Sequence, residues 1–131
     1  MPDQLIARAK LAIRHAYAPY SRFYVAAAVQ CVDGQVFTGV NVENASYGLT
    51  QCAERSAICA AISNGAKAIA TVVIYTPTAE PTSPCGACRQ VIREFSSDAR
   101  IISVCDGPLK LDTTIKELLP GSFTLQATES R

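Results

Sequence analysis

Tyr24-Val25-Ala26-Ala27-Ala28-Val29-Gln30-Cys31-Val32, then Asp33-Gly34, then Gln35-Val36-Phe37-Thr38-Gly39-Val40-Asn41-Val42 is the stretch on which the fold turns. Its first nine residues are nearly all apolar and several are β-branched, which suits a strand covered on both faces. Asp33-Gly34 reads as a two-residue hairpin turn, because Gly tolerates positive φ. The returning strand runs from Gln35 to about Val42. Upstream, Leu5, Ile6, Ala9, Ala12, Ile13 and Ala16 form one helical stripe over residues 3–16, with Asp3 as N-cap and Pro19 as a stop. Downstream, residues 52–63 are rich in Ala, Ser and Ile, so a helix there presents small side chains and can lie very close to its neighbours. Asn64-Gly65 ends it.

Further on, Ile69 to Tyr75 reads as a buried strand, 77–84 as a turn-rich loop, and 85–95 as a helix with Cys88, Val91, Ile92 and Phe95 on one stripe. Ile101 to Cys105 is a short buried strand, and Asp106-Gly107-Pro108 turns the chain. Thr114-x-x-Glu117 is a capping box that opens a last short helix ending at Pro120. Strand and helix alternate after the hairpin, which implies right-handed crossovers and parallel pairing there. The predicted class is α/β, a three-layer α/β/α sandwich on a mixed sheet with an antiparallel edge from the hairpin, in one domain over 1–131.

Twelve Lys plus Arg against eleven Asp plus Glu leave a formal net charge of +1. That is no field for gripping a polymeric nucleic acid, and without Trp there is little stacking surface. A nucleotide-sized ligand remains compatible. No apolar stretch approaches the ~20 residues that span a bilayer, and the N-terminus has no apolar run after a basic start. The cytoplasm is the expected compartment. In such a reducing compartment clustered cysteines bind metal or do chemistry, and lone ones are small hydrophobes. Cys31, Cys59 and Cys105 each sit inside an apolar run and read as the second kind.

The other three carry chemistry. Cys52-Ala53-Glu54-Arg55 and Pro84-Cys85-Gly86-Ala87-Cys88-Arg89 each begin a predicted helix directly after a loop. A C-x-x-C at a helix start puts two sulfurs on one face, and Cys52 reaches the same point if the two helices lie side by side. Three thiolates on Zn²⁺ leave the fourth tetrahedral position open, the mark of a catalytic rather than a structural site. Helix N-termini favour thiolate over thiol. Three thiolates and Zn²⁺ sum to −1, which weakens a bound water as an acid. Arg55 is placed to offset this by donating to a ligand sulfur. Glu54, two residues after a ligand, reads as a proton shuttle. Zinc nucleobase deaminases use this arrangement, with His or Cys as first ligand. C-x-x-C alone also serves redox dithiols and structural zinc, and His15, the single histidine, reads as a surface residue at a helix end. Cys-Ala-Glu followed by Pro-Cys-x-x-Cys is far more specific than either part.

At these residues the sequence resembles the small homotetrameric zinc-dependent cytidine deaminases. Pro19-Tyr20-Ser21-Arg22-Phe23, Asn41-Val42-Glu43-Asn44-Ala45-Ser46-Tyr47 and Glu117-Leu118-Leu119-Pro120 extend the likeness over nearly the whole chain. The resemblance implies that sheet's five strands, one Zn²⁺ per chain, Phe23 packed on a pyrimidine, and Asn41 and Glu43 on the ribose hydroxyls. It implies a tetramer in which Ala45, Tyr47 and Phe123 reach a neighbouring subunit's site. Tyr24 and Ala26 depart from the family's pattern after that Phe, and either change would alter the floor or mouth of the pocket.

The implied reaction is hydrolytic deamination of cytidine and 2′-deoxycytidine. Rival readings are a deaminase of a related aminated nucleoside such as blasticidin S, a non-catalytic structural zinc module, and a thiol redox protein on Cys85 and Cys88.

Overall fold

The computed structural model describes residues 2–125. Helix α1 spans Pro2–Ala12 and continues as a 3-10 turn over Ile13–His15. The helix begins at Pro2, so Asp3 lies inside its first turn rather than capping it. Proline suits that first position because its missing N–H would be unpaired there anyway. His15 is exposed, as expected.

Strands β1 (Ala26–Cys31) and β2 (Val36–Val40) form the hairpin. Its turn is one residue longer than the Asp-Gly pair suggests. The Gly34 N–H donates to Cys31 O at 2.9 Å, and Cys31 N to Gln35 O at 2.8 Å, which leaves Val32, Asp33 and Gly34 in the loop. Gly34 has φ 95 while Asp33 does not adopt positive φ. A type I turn closed by a left-handed Gly is the three-residue solution, and a two-residue type I′ turn needs both central residues there.

Helix α2 (Ala53–Ser63) ends as the Asn64-Gly65 pair predicts. Ala66 N donates to Ala61 O at 3.0 Å, Gly65 N donates to Ile62 O at 3.0 Å, and Gly65 has φ 94. This is a Schellman closure. Strand β3 covers Ile69–Tyr75, α3 Gly86–Phe95 and β4 Arg100–Val104. A fifth strand, β5 (Leu111–Thr114), precedes α4 (Ile115–Leu118).

The sheet order is β2-β1-β3-β4-β5. β3 and β4 are parallel, as the alternation requires, and the other pairings are antiparallel. Strand β1 is covered on both faces. Ala26 and Ala28 pack with Leu5 and Ala9 of α1, while Ala27 and Val29 pack with Ala57, Ile58 and Ile92 of α2 and α3. The result is the three-layer α/β/α sandwich with the hairpin at one edge.

Small residues set the distance between α2 and the sheet. Gly39 of β2 faces the helix so closely that a Cβ there would lie 2.3 Å from Ala57 N and 2.7 Å from Ala53 O. At the far edge the predicted capping box is half formed. Thr114 Oγ1 accepts from Glu117 N at 3.2 Å, but Glu117 Oε1 takes the Thr113 hydroxyl at 2.9 Å. Thr114→Ala should cost about 1 kcal/mol of stability, as loss of an N-cap does. Urea denaturation at unchanged m-value checks this.

Two of the three cysteines read as small hydrophobes, Cys31 and Cys105, are buried. Cys59 is exposed on α2, because the helix turns that position away from the sheet. Among the described residues no helix is long and apolar enough to cross a membrane.

Candidate active site

Two helix starts on the same face of the sheet build the site. Cys52 is the N-cap of α2 and Cys85 the N-cap of α3, both with extended backbone. In each case the chain arrives straight and then coils, so the cap side chain stays beside the open N–H groups of the first turn. Cys88 N donates to Cys85 Sγ at 3.5 Å. Cys88, one turn further along α3, is fully buried. Cys52, Cys85 and Cys88 thereby offer three sulfurs within 4.8 Å of one another.

A tetrahedral zinc ion with Zn–S of ~2.3 Å spaces its sulfurs about 3.8 Å apart, so this donor set fits the ion. No fourth His, Cys, Asp or Glu joins the cluster among the described residues. The Cys88 hydrogen bond, followed by the bond and charge of Arg55, pulls the Cys52 thiol down to about 5. Cys88, on the other side of that bond and buried, is pushed up. Arg55 Nη2 donates to Cys52 Sγ at 3.3 Å, and Arg55 Nε is buried without a partner. An Arg head group directed at sulfur from a partly buried position is balanced by the negative charge of a thiolate. Burial also pushes the Glu54 carboxyl up, and the Cys52 charge adds to it. Glu54 is 5% exposed.

A cavity of about 190 Å³ opens beside the cluster, lined by Phe23, Asn41, Cys52, Glu54 and Cys85 among others. Five of the residues singled out from sequence thus share one wall. A second cavity of about 210 Å³ is lined by Tyr20, Ser21, Glu43, Asn44 and Tyr47, and Thr50 lines both. Ala45 and Phe123 line neither, and Phe123 is two-thirds exposed. Tyr24 and Ala26 also stay off both walls. Ala26 faces α1 on the opposite side of the sheet.

Asn41 and Glu43 hold the loop before β1. Val25 N donates to Asn41 Oδ1 at 3.0 Å, and Asn41 Nδ2 donates to Phe23 O at 2.7 Å. The sequence reading missed this clamp. It also missed Val25, Gln51, Ile74, Thr82 and Ser83 on the cavity wall. Arg89, quoted only as part of the second motif, was given no role. Its Nε donates to Pro84 O at 2.8 Å, its Nη2 to Ser83 Oγ at 2.9 Å, and its Nη1 to Leu118 O at 2.9 Å. The arginine directly after Cys88, the third of the clustered cysteines, was the available signal.

Residues 2–105 match the family model of the cytidine and deoxycytidylate deaminase zinc-binding region. The chain is 45% identical over 126 residues to a cytidine deaminase of Halalkalibacterium halodurans, covering 95% of each. It is 42% identical over 124 residues to one of Sporosarcina psychrophila, covering 93% of this chain and 90% of the relative. It superposes on the crystal structure of cytidine deaminase from Burkholderia pseudomallei with a TM-score of 0.89 at 42% identity, over 94% of this chain and 99% of that one. Sequence and backbone lead to the same family along nearly the full length, and so the chain belongs to the cytidine deaminase family, with its zinc-binding region.

Proposed function

We propose that the protein deaminates cytidine and 2′-deoxycytidine hydrolytically, releasing ammonia. The observation that carries this is the three-sulfur cluster with the buried Glu54 carboxyl beside it on a common cavity. Cys52, Cys85 and Cys88 would hold one Zn²⁺. When bound, the ion supplies Lewis acidity that makes water a nucleophile near neutral pH.

The remaining work belongs to side chains. Glu54 accepts a proton from the attacking water, delivers it to N3 of the ring, and carries another to the amine leaving C4. Its burial lets it hold a proton more readily than an exposed carboxylate would. Phe23 packs on the pyrimidine, and Asn41 and Glu43 receive the sugar hydroxyls with the polar capacity their loop contacts leave free. Arg55 offsets the charge of the thiolates. Arg55→Gln should therefore lower kcat more than it lowers zinc content, measured by mass spectrometry on the purified protein. Equal losses would refute that role.

A homotetramer with shared sites is part of the same reading. Tyr17, Tyr20, Tyr47, Leu49 and Phe123 are large apolar residues left exposed, which supports an association surface. Ala45, Tyr47 and Phe123 would then complete a neighbour's site, and sedimentation equilibrium should give four times the chain mass of 13.9 kDa. A pyrimidine salvage role fits the proposed reaction, with the cytoplasm as the expected compartment.

The deciding experiment is ammonia release from cytidine, 2′-deoxycytidine, cytosine and blasticidin S by protein carrying one zinc per chain. Turnover of the two nucleosides and not of blasticidin S is expected. The reverse order would overturn the substrate assignment.

A further inference from the structure

Between Pro19 and Val25 the chain makes a tight loop, and within it Arg22 is the one non-glycine residue among the described residues with positive φ, at 58°. Such a conformation persists only where the surroundings over-determine it. Here the surroundings are the Glu43 carboxylate and one hydroxyl. Tyr20 N and Ser21 N donate to Glu43 Oε1 at 3.0 and 3.2 Å. The Ser21 hydroxyl donates to Glu43 Oε2, while Ser21 Oγ itself accepts from Phe23 N at 3.0 Å. The Ser21 bond, followed by those of the backbone N–H groups, holds the Glu43 carboxyl below the usual carboxylate range.

Ser21 Oγ therefore touches both halves of the nucleoside-binding wall at once. One bond leads to the residue under the base, the other to the residue under the sugar. A carboxylate offers about four acceptor positions. Two backbone groups occupy Oε1 and Ser21 takes one position on Oε2, which leaves a single place, on Oε2, for a sugar hydroxyl. We propose that Ser21 is a positioning residue for nucleoside binding, its hydroxyl fixing Phe23 and Glu43 relative to one another and directing the last free acceptor of Glu43 toward the sugar. This rests on the deaminase reading above. Nothing in the relay touches Cys52, Cys85, Cys88 or Glu54, so binding changes while the chemical step does not.

The test compares wild type, Ser21→Ala and Ser21→Thr, all zinc-loaded, with cytidine and with 2′,3′-dideoxycytidine. Ser21→Ala should raise KM for cytidine about tenfold, the size of a lost hydrogen bond to a charged group, with kcat and zinc content held. Ser21→Thr, which keeps the hydroxyl, should restore KM. The KM ratio of dideoxycytidine to cytidine should shrink in Ser21→Ala, because the sugar hydroxyl has lost its aimed acceptor. An unchanged KM in Ser21→Ala, a failure of Thr to rescue, or a parallel fall of kcat and zinc content would each overturn the proposal. Wild-type protein inactive on cytidine would instead overturn the deaminase reading itself.

Discussion

Glu54→Gln protein will fold, carry one zinc per chain and still bind nucleoside, yet turn over cytidine about 10³- to 10⁴-fold more slowly, the scale of losing a positioned acid and base. Zinc should be kept because the three sulfurs are untouched and Gln matches Glu in shape. Folding should be kept because the carboxyl is buried under a penalty for its charge, and an amide escapes that penalty. The lost capacity is narrower than binding. An amide cannot receive a proton from water and return it to ring nitrogen and leaving amine in turn. The measurement is kcat on metal-quantified protein beside the affinity for a hydrated pyrimidine analogue. Turnover within tenfold of wild type would remove Glu54 from the mechanism.

Gly39→Ala should be at least as damaging, by a different route. The added Cβ would meet Ala57 N at 2.3 Å, Ala53 O at 2.7 Å and Ala57 Cα at 2.9 Å. All three are backbone atoms, so no side chain can swing aside. Either β2 bends away from β1 or α2 lifts from the sheet. Overpacking of a well-filled core costs about 1–3 kcal/mol and sometimes more, and this contact belongs at the upper end. Lifting α2 also moves Cys52, Glu54 and Arg55, which stand at its first turn. The variant should therefore lose both melting temperature and zinc. Thr114→Ala, at the far edge of the sheet, should lose only a little stability and no metal. A Gly39→Ala protein with native melting temperature and full zinc would show that the seat of α2 is looser than described.

The helices, the hairpin and the parallel pair were legible because each has a local chemical signature. Asn64-Gly65 announces a left-handed stop, and Cys52 and Cys85 sit where loops give way to helices. Strand β5 had no such signature. Leu111-Asp112-Thr113-Thr114 is short, polar and only partly buried. What makes it a strand is the open edge of β4 beside it and the Arg100–Asp112 pair at 2.7 Å across the two strands. Site residues divide the same way. The clustering of Cys52, Cys85 and Cys88, with Glu54 beside them, was legible because the chemistry admits few alternatives and sets such residues at recognisable spacings. Ser21 and Arg89 act through backbone groups whose positions exist only once the chain is folded. Periodicity carries no information about them. The hairpin turn shows the converse. Asp33-Gly34 correctly marked the reversal, but the number of residues in it depended on where the strand pairing stopped.

The Arg89 fork has a mechanical meaning. By holding Pro84 and Ser83 with one side of its guanidinium and Leu118 with the other, it makes α4 a splint for the loop that delivers Cys85. Metal grip and the tail end of the chain are thus joined by one side chain. Truncations or insertions near residues 115–118, remote from the cavity in sequence, are therefore expected to disturb the seat of Cys85.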